Sequence, residues 1–167
     1  AWAAEHGFVT ERLNVAAVLL PAQREAELAR VLGVALAALS SGRSPLIYSA
    51  AGPDDPAVTD FAGSARAARL TVASASACVG DALAEIVRRL VAASGVRRLA
   101  IAGGDSAGAV ANALDIAALT VAAQLVPGAP LCRVWSDAPG MDGMEVVLKG
   151  GQMGQPDFFG RVLHGTP

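Results

Sequence analysis

The fold is decided by the stretch Ile101-Ala102-Gly103-Gly104-Asp105-Ser106-Ala107-Gly108-Ala109. The apolar run Leu99 to Ala102 leads into it, and such a continuous run is typical of a parallel strand covered on both faces. Good helix formers follow from Ala107 to Leu114. The pattern therefore predicts a buried strand, a tight glycine turn and a helix, with Gly108 as a point where that helix could approach a neighbour closely.

The glycine turn can bring a ligand against the backbone. Gly103 and Gly104 lack a Cβ atom, and the unpaired N–H groups of a helix N-terminus attract an anion such as phosphate. Asp105 would repel a polyphosphate unless a Mg²⁺ ion bridges the two or the carboxylate accepts a hydrogen bond from a ribose hydroxyl. The alternative is a plain turn in which Asp105 or Ser106 only caps the helix. The local pattern leaves both interpretations open.

A second glycine turn follows another apolar strand. The run Val146 to Leu148 leads into Lys149-Gly150-Gly151. A lysine at a strand end can direct its ammonium group towards phosphate oxygens while the following backbone lines a pocket. The alternative is a solvated lysine beside a flexible turn, because most lysines are exposed. Ligands bind at the carboxyl ends of strands in open α/β sheets, so we expect both turns to face the same polyphosphate.

Helices and strands alternate along most of the chain. Residues 1–7 have the pattern of the last turns of a helix that Gly7 closes, the segment before Pro21 is expected to be irregular, and Asp55 is predicted to cap a helix starting at Pro56. We expect strands within residues 8–13, 46–48, 99–102, 119–123, 131–135 and 144–148, and helices over 24–39, 79–91, 107–114 and 156–163. This alternation predicts one α/β domain over residues 1–167, in three layers, with a mostly parallel, Rossmann-like sheet flanked by helices.

Composition and missing motifs argue against several classes of protein. The formal net charge is −2 without a basic stripe, which argues against nucleic-acid binding. The longest apolar stretches, such as Val31 to Leu39, are too short to span a bilayer. Cys78 and Cys132 form no CxxC pair, so neither a zinc site nor a disulfide framework is expected, and a reducing cytoplasm is the default compartment. No GxxxxGK[ST] or GxGxxG pattern occurs, which disfavours a Walker loop and an NAD site, and Ser49, Ser74 and Ser76 lack the GxSxG surroundings of a hydrolase nucleophile.

Three segments in order resemble the four-carbon acid sugar kinases. Gly103 to Ala109 resembles that family's GG[DE]TSGA segment, and Leu148 to Gly154 with Asp157-Phe158-Phe159 resembles its LKSGNFG and DFF segments. Ser49 to Asp55 is similar to the stretch that follows the family's Gly-Arg turn, here Gly42-Arg43. The resemblance covers essentially the whole chain, and the three segments together are far more specific than any one of them.

The resemblance implies the ATP-binding, C-terminal half of a two-domain kinase that phosphorylates a hydroxyl of erythronate, threonate or an oxo-tetronate. The small-molecule substrate and the general base would belong to the other, acid-sugar domain, and the cofactors expected are ATP and Mg²⁺, with Asp105 as the candidate metal ligand from its charge. The chain alone is therefore expected to be inactive, and no catalytic residue is assigned in it. The implied nucleotide contacts are Gly103, Gly104, Asp105, Ser106, Ala107, Gly108, Lys149, Gly150 and Gly151.

Two departures from the family pattern bear on nucleotide contacts. Ala107 and Gly150 stand where the family carries hydroxyl side chains, so backbone N–H donors would have to replace those contacts. The main alternative function is a non-catalytic α/β module that binds a nucleotide for regulation or packs against partner subunits, as in a homo-oligomer. A different transferase or an NAD-linked enzyme is the second alternative, and the missing GxGxxG motif argues against the latter.

Overall fold

The structure is a computed structural model that describes residues 2–150 and 155–165. Helices and strands alternate along these residues, as the sequence predicts. In chain order the elements are α1 (Trp2–Glu5), β1 (Val9–Arg12), α2 (Val15–Leu19), α3 (Pro21–Ser40), β2 (Pro45–Tyr48), α4 (Pro56–Thr59), α5 (Phe61–Ala67), α6 (Val72–Ser94), β3 (Arg98–Ala102), α7 (Gly104–Ala113), β4 (Ala118–Val126), β5 (Ala129–Trp135), β6 (Glu145–Lys149) and α8 (Phe158–His164).

The longest helix, α6, begins earlier than its apolar stripe suggests. Thr71 caps its start by accepting a hydrogen bond from the Ser74 N–H, and Gly95 ends it with a φ of 67°. The helix predicted over residues 79–91 is confirmed but is longer, because small residues extend it back to Thr71 and it continues to Ser94. No helix among residues 2–150 and 155–165 is by itself long and apolar enough to cross a bilayer; only α5 and α6 taken together, with a 94° bend, reach that length and composition.

The strands form two sheets. β1 and β2 pair in parallel, and the larger sheet has the order β3-β6-β5-β4. In the larger sheet β3 and β6 are parallel, but β5 is antiparallel to both β4 and β6. The α/β fold is confirmed, but the expectation of a mostly parallel sheet is not, because the sheet is mixed. Only Pro127 and Gly128 connect β4 to β5, and so short a link reverses the chain, whereas a parallel pair needs a long crossover.

Short helices before Pro21 and after Pro56 arise from local caps. The Asn14 side chain accepts from the Ala17 N–H at 3.1 Å and starts α2, so the expectation of an irregular segment there is wrong. A helix of one turn is too short to display an apolar period, which is why the pattern missed it. The predicted cap at Asp55 is confirmed, since its carboxylate accepts from the Ala57 N–H at 2.9 Å.

Helix α6 contributes to two hydrophobic clusters, one on each side of it. Its residues Ala84 and Val91 pack with α7 and the larger sheet, while Ala82 and Ile86 pack with α2 and α3. The close approach of α6 and α7 is at Gly80, where a Cβ atom would lie 3.5 Å from the Ala109 Cβ. The approach expected at Gly108 is wrong, because that residue is exposed and no described atom outside the adjacent backbone of its own helix lies within 4 Å of the place its Cβ would take. The packing at Gly80 fixes the start of α7 beside β3.

Candidate functional site

The two glycine turns lie side by side at one edge of the larger sheet. β3 and β6 are parallel neighbours, and Ala102 lies opposite Lys149 in their register. Beyond the last pair, the Gly103 N–H donates to the Lys149 carbonyl oxygen at 3.0 Å. This hydrogen bond joins the carboxyl ends of the two strands at the point where both turns begin.

Gly103 sets the geometry of the first turn. Its φ of 114° lies in a region that residues with a side chain rarely adopt. It is also the N-cap of α7, and its carbonyl accepts from the Ala107 N–H at 2.9 Å. Gly103 is the cap residue and no side chain of the described residues caps this helix, so the interpretation in which Asp105 or Ser106 is the cap does not hold. The first N–H groups of α7 therefore point out of the helix start without a side-chain acceptor from the cap.

The first turn of α7 presents polar groups to solvent. Asp105 is exposed, Ser106 and Ala107 are half-buried, and Gly108 is exposed. No group of three or more His, Cys, Asp or Glu side chains suited to a metal occurs in residues 2–150 and 155–165. A Mg²⁺ ion that arrives with a nucleotide needs only one or two carboxylates, because phosphate oxygens and waters complete its coordination. The exposed carboxylate of Asp105 can be that one protein ligand.

Lys149 is the only lysine of the chain, and it is buried. Only 9% of the residue is exposed. Its Nζ donates to the Gly150 carbonyl at 3.0 Å and lies 5.3 Å from the centre of the Phe158 ring. Burial lowers the pKa of the Lys149 ammonium group below its ordinary value. A buried ammonium group is costly, and such groups concentrate at functional sites, which makes this residue a candidate for binding an anion.

The second turn leads towards α8. Gly150 is exposed, and Gly151 lies outside the described residues. At the start of α8, Asp157 accepts from Arg161 Nε at 3.0 Å through one oxygen, while its other carboxylate oxygen is buried and has no hydrogen-bond partner among the residues described. The next residue, Phe158, packs in the core with Val147 of β6. The Asp-Phe-Phe segment thus supports the strand that carries Lys149.

Nearly the whole chain matches a known protein family. Residues 1–159 match the profile of a family described as the nucleotide-binding C-terminal domain. The chain belongs to this family. This match, together with the kinases described next, confirms the resemblance to the C-terminal domain of the four-carbon acid sugar kinases.

Curated relatives of the nucleotide-binding domain are bacterial kinases. It is 51% identical over 164 residues to the 3-oxo-isoapionate kinase of Paraburkholderia graminis, and the match covers 98% of this chain and 35% of the relative. It is 36% identical over 140 residues to the 3-oxo-tetronate kinase of Cupriavidus necator, and this match covers 81% of this chain and 30% of the relative. The chain therefore spans about a third of the length of these relatives.

Solved structures share the fold of the domain. The Haemophilus influenzae protein HI1011 superposes with a TM-score of 0.78 at 20% identity, over 98% of this chain and 36% of that one. A domain of unknown function from Bordetella bronchiseptica, crystallised with bound citrate as a domain-swapped dimer, superposes with a TM-score of 0.64 at 22% identity, over 95% of this chain and 34% of that one. At these identities the likeness concerns the fold alone.

Two cavities lie away from the glycine turns. One, of about 350 Å³, lies between α1 and α8; it is lined by Trp2, His6, Phe8, Asp157, Gly160, Arg161 and His164. Its two histidines, His6 and His164, could not be paired from the sequence, because they are 158 positions apart and no motif links them. Both histidines are exposed, and His6 stacks on Trp2 with ring centres 3.8 Å apart.

The other cavity, of about 310 Å³, lies where β1 ends; it is lined by Arg12, Leu13, Asn14, Val15, Ala16, Ala57 and Ser64. Arg12 forms an ion pair with the buried Asp55. Backbone N–H groups of Ala51 and Ala57, and then Arg12, hold the pKa of the Asp55 carboxyl below its ordinary value. The sequence predicted the cap at Asp55 but contained no signal for its pairing with Arg12, 43 residues away.

Proposed function

We propose that this nucleotide-binding domain binds ATP, as its Mg²⁺ complex, between the turn after β3 and the turn after β6. The observation that carries the proposal is the hydrogen bond between Gly103 and Lys149, which joins an uncapped helix N-terminus to the chain's only lysine. The proposed contacts on the β3 side are Gly103, Gly104, Asp105, Ser106, Ala107 and Gly108, and those on the β6 side are Lys149, Gly150 and Gly151.

The charges at this edge suit a polyphosphate with a bound metal ion. The free N–H groups at the start of α7 carry partial positive charge, and the Lys149 ammonium group adds a full charge beside them. Asp105 alone would repel phosphate, so we assign it to Mg²⁺, where its carboxylate would be one of the few protein ligands. The metal would neutralise phosphate charge, and the chain's own groups would hold and orient the nucleotide.

The activity that we propose for the longer protein is phosphoryl transfer from ATP to a hydroxyl of a sugar acid of the erythronate, threonate or oxo-tetronate type. Its support is the naming of the relatives as 3-oxo-isoapionate and 3-oxo-tetronate kinases. The acceptor and the general base would come from the part of such a protein that this chain does not match. We further propose a cytoplasmic location, where ATP is available and the free thiols of Cys78 and Cys132 stay reduced. The Bordetella dimer supports self-association as part of the proposal.

Calorimetric titration with MgATP tests the site. Lys149→Met keeps an apolar side chain of similar length over Phe158 but removes the charge, so we expect roughly tenfold weaker binding or more, the usual cost of a hydrogen bond to a charged group. Arg133→Met is the matched control, because it removes a cation from the exposed middle of β5.

Unchanged affinity in Lys149→Met, or an equal loss in both variants, would reject the proposed lysine contact. No heat from the wild-type chain at millimolar MgATP would instead favour the module that only packs against other subunits.

A further inference from the structure

Among the described residues, no strand pairs with the outer edge of β4. β4 is the last strand of the larger sheet, and its residues Ala118 to Gln124 are all exposed. Leu119 is 38% exposed and Val121 61%, and beside them Trp135 of β5 is 52% exposed. Such an edge presents unpaired backbone N–H and C=O groups to any other strand of suitable shape.

The usual protection of an edge strand is missing from the first half of β4. Proteins commonly place lysine, other charged residues or proline on an open edge, but β4 contains none of these from Ala118 to Val126. An irregularity interrupts its pairing with β5 after Val121, whereas the preceding residues, Ala118 to Val121, pair in regular register. A regular, uncharged and apolar segment is therefore available at the start of the strand.

The irregularity also changes the face to which β4 sends its apolar side chains. Before it, Val121 lies opposite Cys132, which packs towards the core shared with α6 and α7. After it, Ala123 lies opposite Leu131, which packs under α8. Leu119 shares the face of Val121, because side chains two apart in a regular strand point the same way. The two largest apolar side chains of the edge thus lie together on one face.

We propose that two copies of this chain pair through β4, antiparallel, about a two-fold axis at Thr120. In that register Leu119 of one copy lies opposite Val121 of the other, and the same contact repeats across the axis. A contact that repeats in this way closes the assembly at two subunits. The two larger sheets then become one continuous sheet of eight strands, and cross-strand pairs of apolar residues stabilise the join.

Charge does not oppose this pairing. Arg133, which lies opposite Thr120 on β5, is the nearest charged residue in the register. With strands spaced about 4.8 Å apart, the two Arg133 positions are separated by roughly 14 Å across the axis. Charges at that distance are largely screened at physiological salt. Trp135 lies on the face of Thr120 and Arg133, opposite to the face of Leu119 and Val121. Its Nε1 donates to Thr120 Oγ1 at 3.1 Å, so the tryptophan lies over the proposed axis and would be shielded when the strands pair.

Sedimentation equilibrium on the 167-residue chain, from micromolar to submillimolar concentration, tests this interface. We expect a monomer–dimer equilibrium in the wild type, and at least about a tenfold higher dissociation constant in Val121→Lys, because lysine is the residue that blocks strand edges in natural proteins. Val58→Lys is the control: Val58 is 47% exposed on α4, and the same change there should leave the constant unchanged. Circular dichroism verifies that both variants are folded.

A cross-link locates the axis. In a Cys78→Ala, Cys132→Ala background, Thr120→Cys should form a disulfide-linked dimer under mild oxidation, because directly opposed residues of paired strands have Cα atoms close enough for a disulfide. Thr59→Cys, exposed on α4, should stay monomeric in the same assay. A wild-type chain that remains monomeric, a Val121→Lys dimer as tight as wild type, or a dimer that Thr120→Cys does not cross-link would each overturn the proposal. None of these outcomes depends on ATP binding.

Discussion

At the scale of single residues, Gly103 and Gly104 place different demands on the chain. Gly103 has a φ of 114°, where a side chain is strained, whereas Gly104 lies in the helix, and no described atom outside the adjacent backbone of that helix lies within 4 Å of the place its Cβ would take. Gly103→Ala should therefore lower the free energy of unfolding by about 1–3 kcal/mol. Gly104→Ala should be neutral or raise it by up to about 1 kcal/mol. Urea denaturation of both variants measures the difference, and equal destabilisation would contradict the assignment of backbone strain to Gly103.

A larger side chain at Gly104 separates structure from ligand binding. Valine fits the open space at that position, so Gly104→Val should keep its helicity and melting temperature close to wild type. Its side chain would stand where we propose that the polyphosphate approaches the backbone, so MgATP affinity should fall roughly tenfold or more. Calorimetry and circular dichroism on the same sample decide the point. A large loss of helicity would mean that the turn is structural, and full affinity would mean that phosphate does not approach there.

At the scale of elements, a charged network links α6 to α3. Glu85 accepts hydrogen bonds from Arg88 and Arg89, and Arg89 also donates to Glu25 of α3. These bonds lower the pKa of Glu85 to about 2 from an ordinary value of 4.5. Because the pKa is lower in the folded chain, the carboxylate stabilises the fold above pH 4.5, and this contribution is lost as the pH falls towards 2.

The variant Glu85→Gln tests this linkage. The wild type should be more stable than the variant at pH 7, and the difference should shrink steadily below pH 4.5. Urea denaturation at constant ionic strength, repeated between neutral pH and pH 2, measures the difference in the free energy of unfolding. A difference that stays constant over this range would show that Glu85 contributes through packing instead of charge.

The sequence predicted the long elements better than the short ones and better than the sheet. The apolar stripe of α6 follows the helical period over enough residues to be recognised, and β3 is recognised from its continuous apolar run. Helix α2 depends on one side chain, Asn14, and its single turn displays no period. The direction of β5 depends on the two-residue link at Pro127 and Gly128, which the alternation of helices and strands does not describe.

The candidate site could be predicted only in part, because the sequence indicates where strands end but not how distant elements pack. Two glycine turns after two strands could be expected at one edge of a sheet, and the register of Ala102 with Lys149 places the two strand ends side by side. The burial of Lys149 could not be predicted, because it results from packing against Phe158 of α8, an element whose position the pattern does not fix. The two cavities could not be predicted either, because their lining residues come from opposite ends of the chain or from separate elements.

At the scale of the whole molecule, the sheet edge used for ligand binding and the strand edge available for assembly are separate. The proposed nucleotide site lies at the carboxyl ends of β3 and β6, whereas β4 is at the far side of the sheet, beyond β5. Self-association through β4 would therefore leave the nucleotide turns open. We expect Val121→Lys to bind MgATP with wild-type affinity in calorimetry. A parallel loss of dimer and of affinity would show that the two surfaces are coupled.

The most direct test of the nucleotide site uses the chain's only lysine as a reporter. In protein labelled with ¹³C,¹⁵N-lysine, the side-chain resonances of Lys149 can be followed by NMR as a function of pH, without and with saturating MgATP. Burial lowers the pKa of the Lys149 ammonium group in the protein without ligand, and a polyphosphate beside it should raise that pKa and shift the signals. Resonances and a pKa that do not change while ATP is shown by calorimetry to bind would contradict the placement of the phosphates between Gly103 and Lys149.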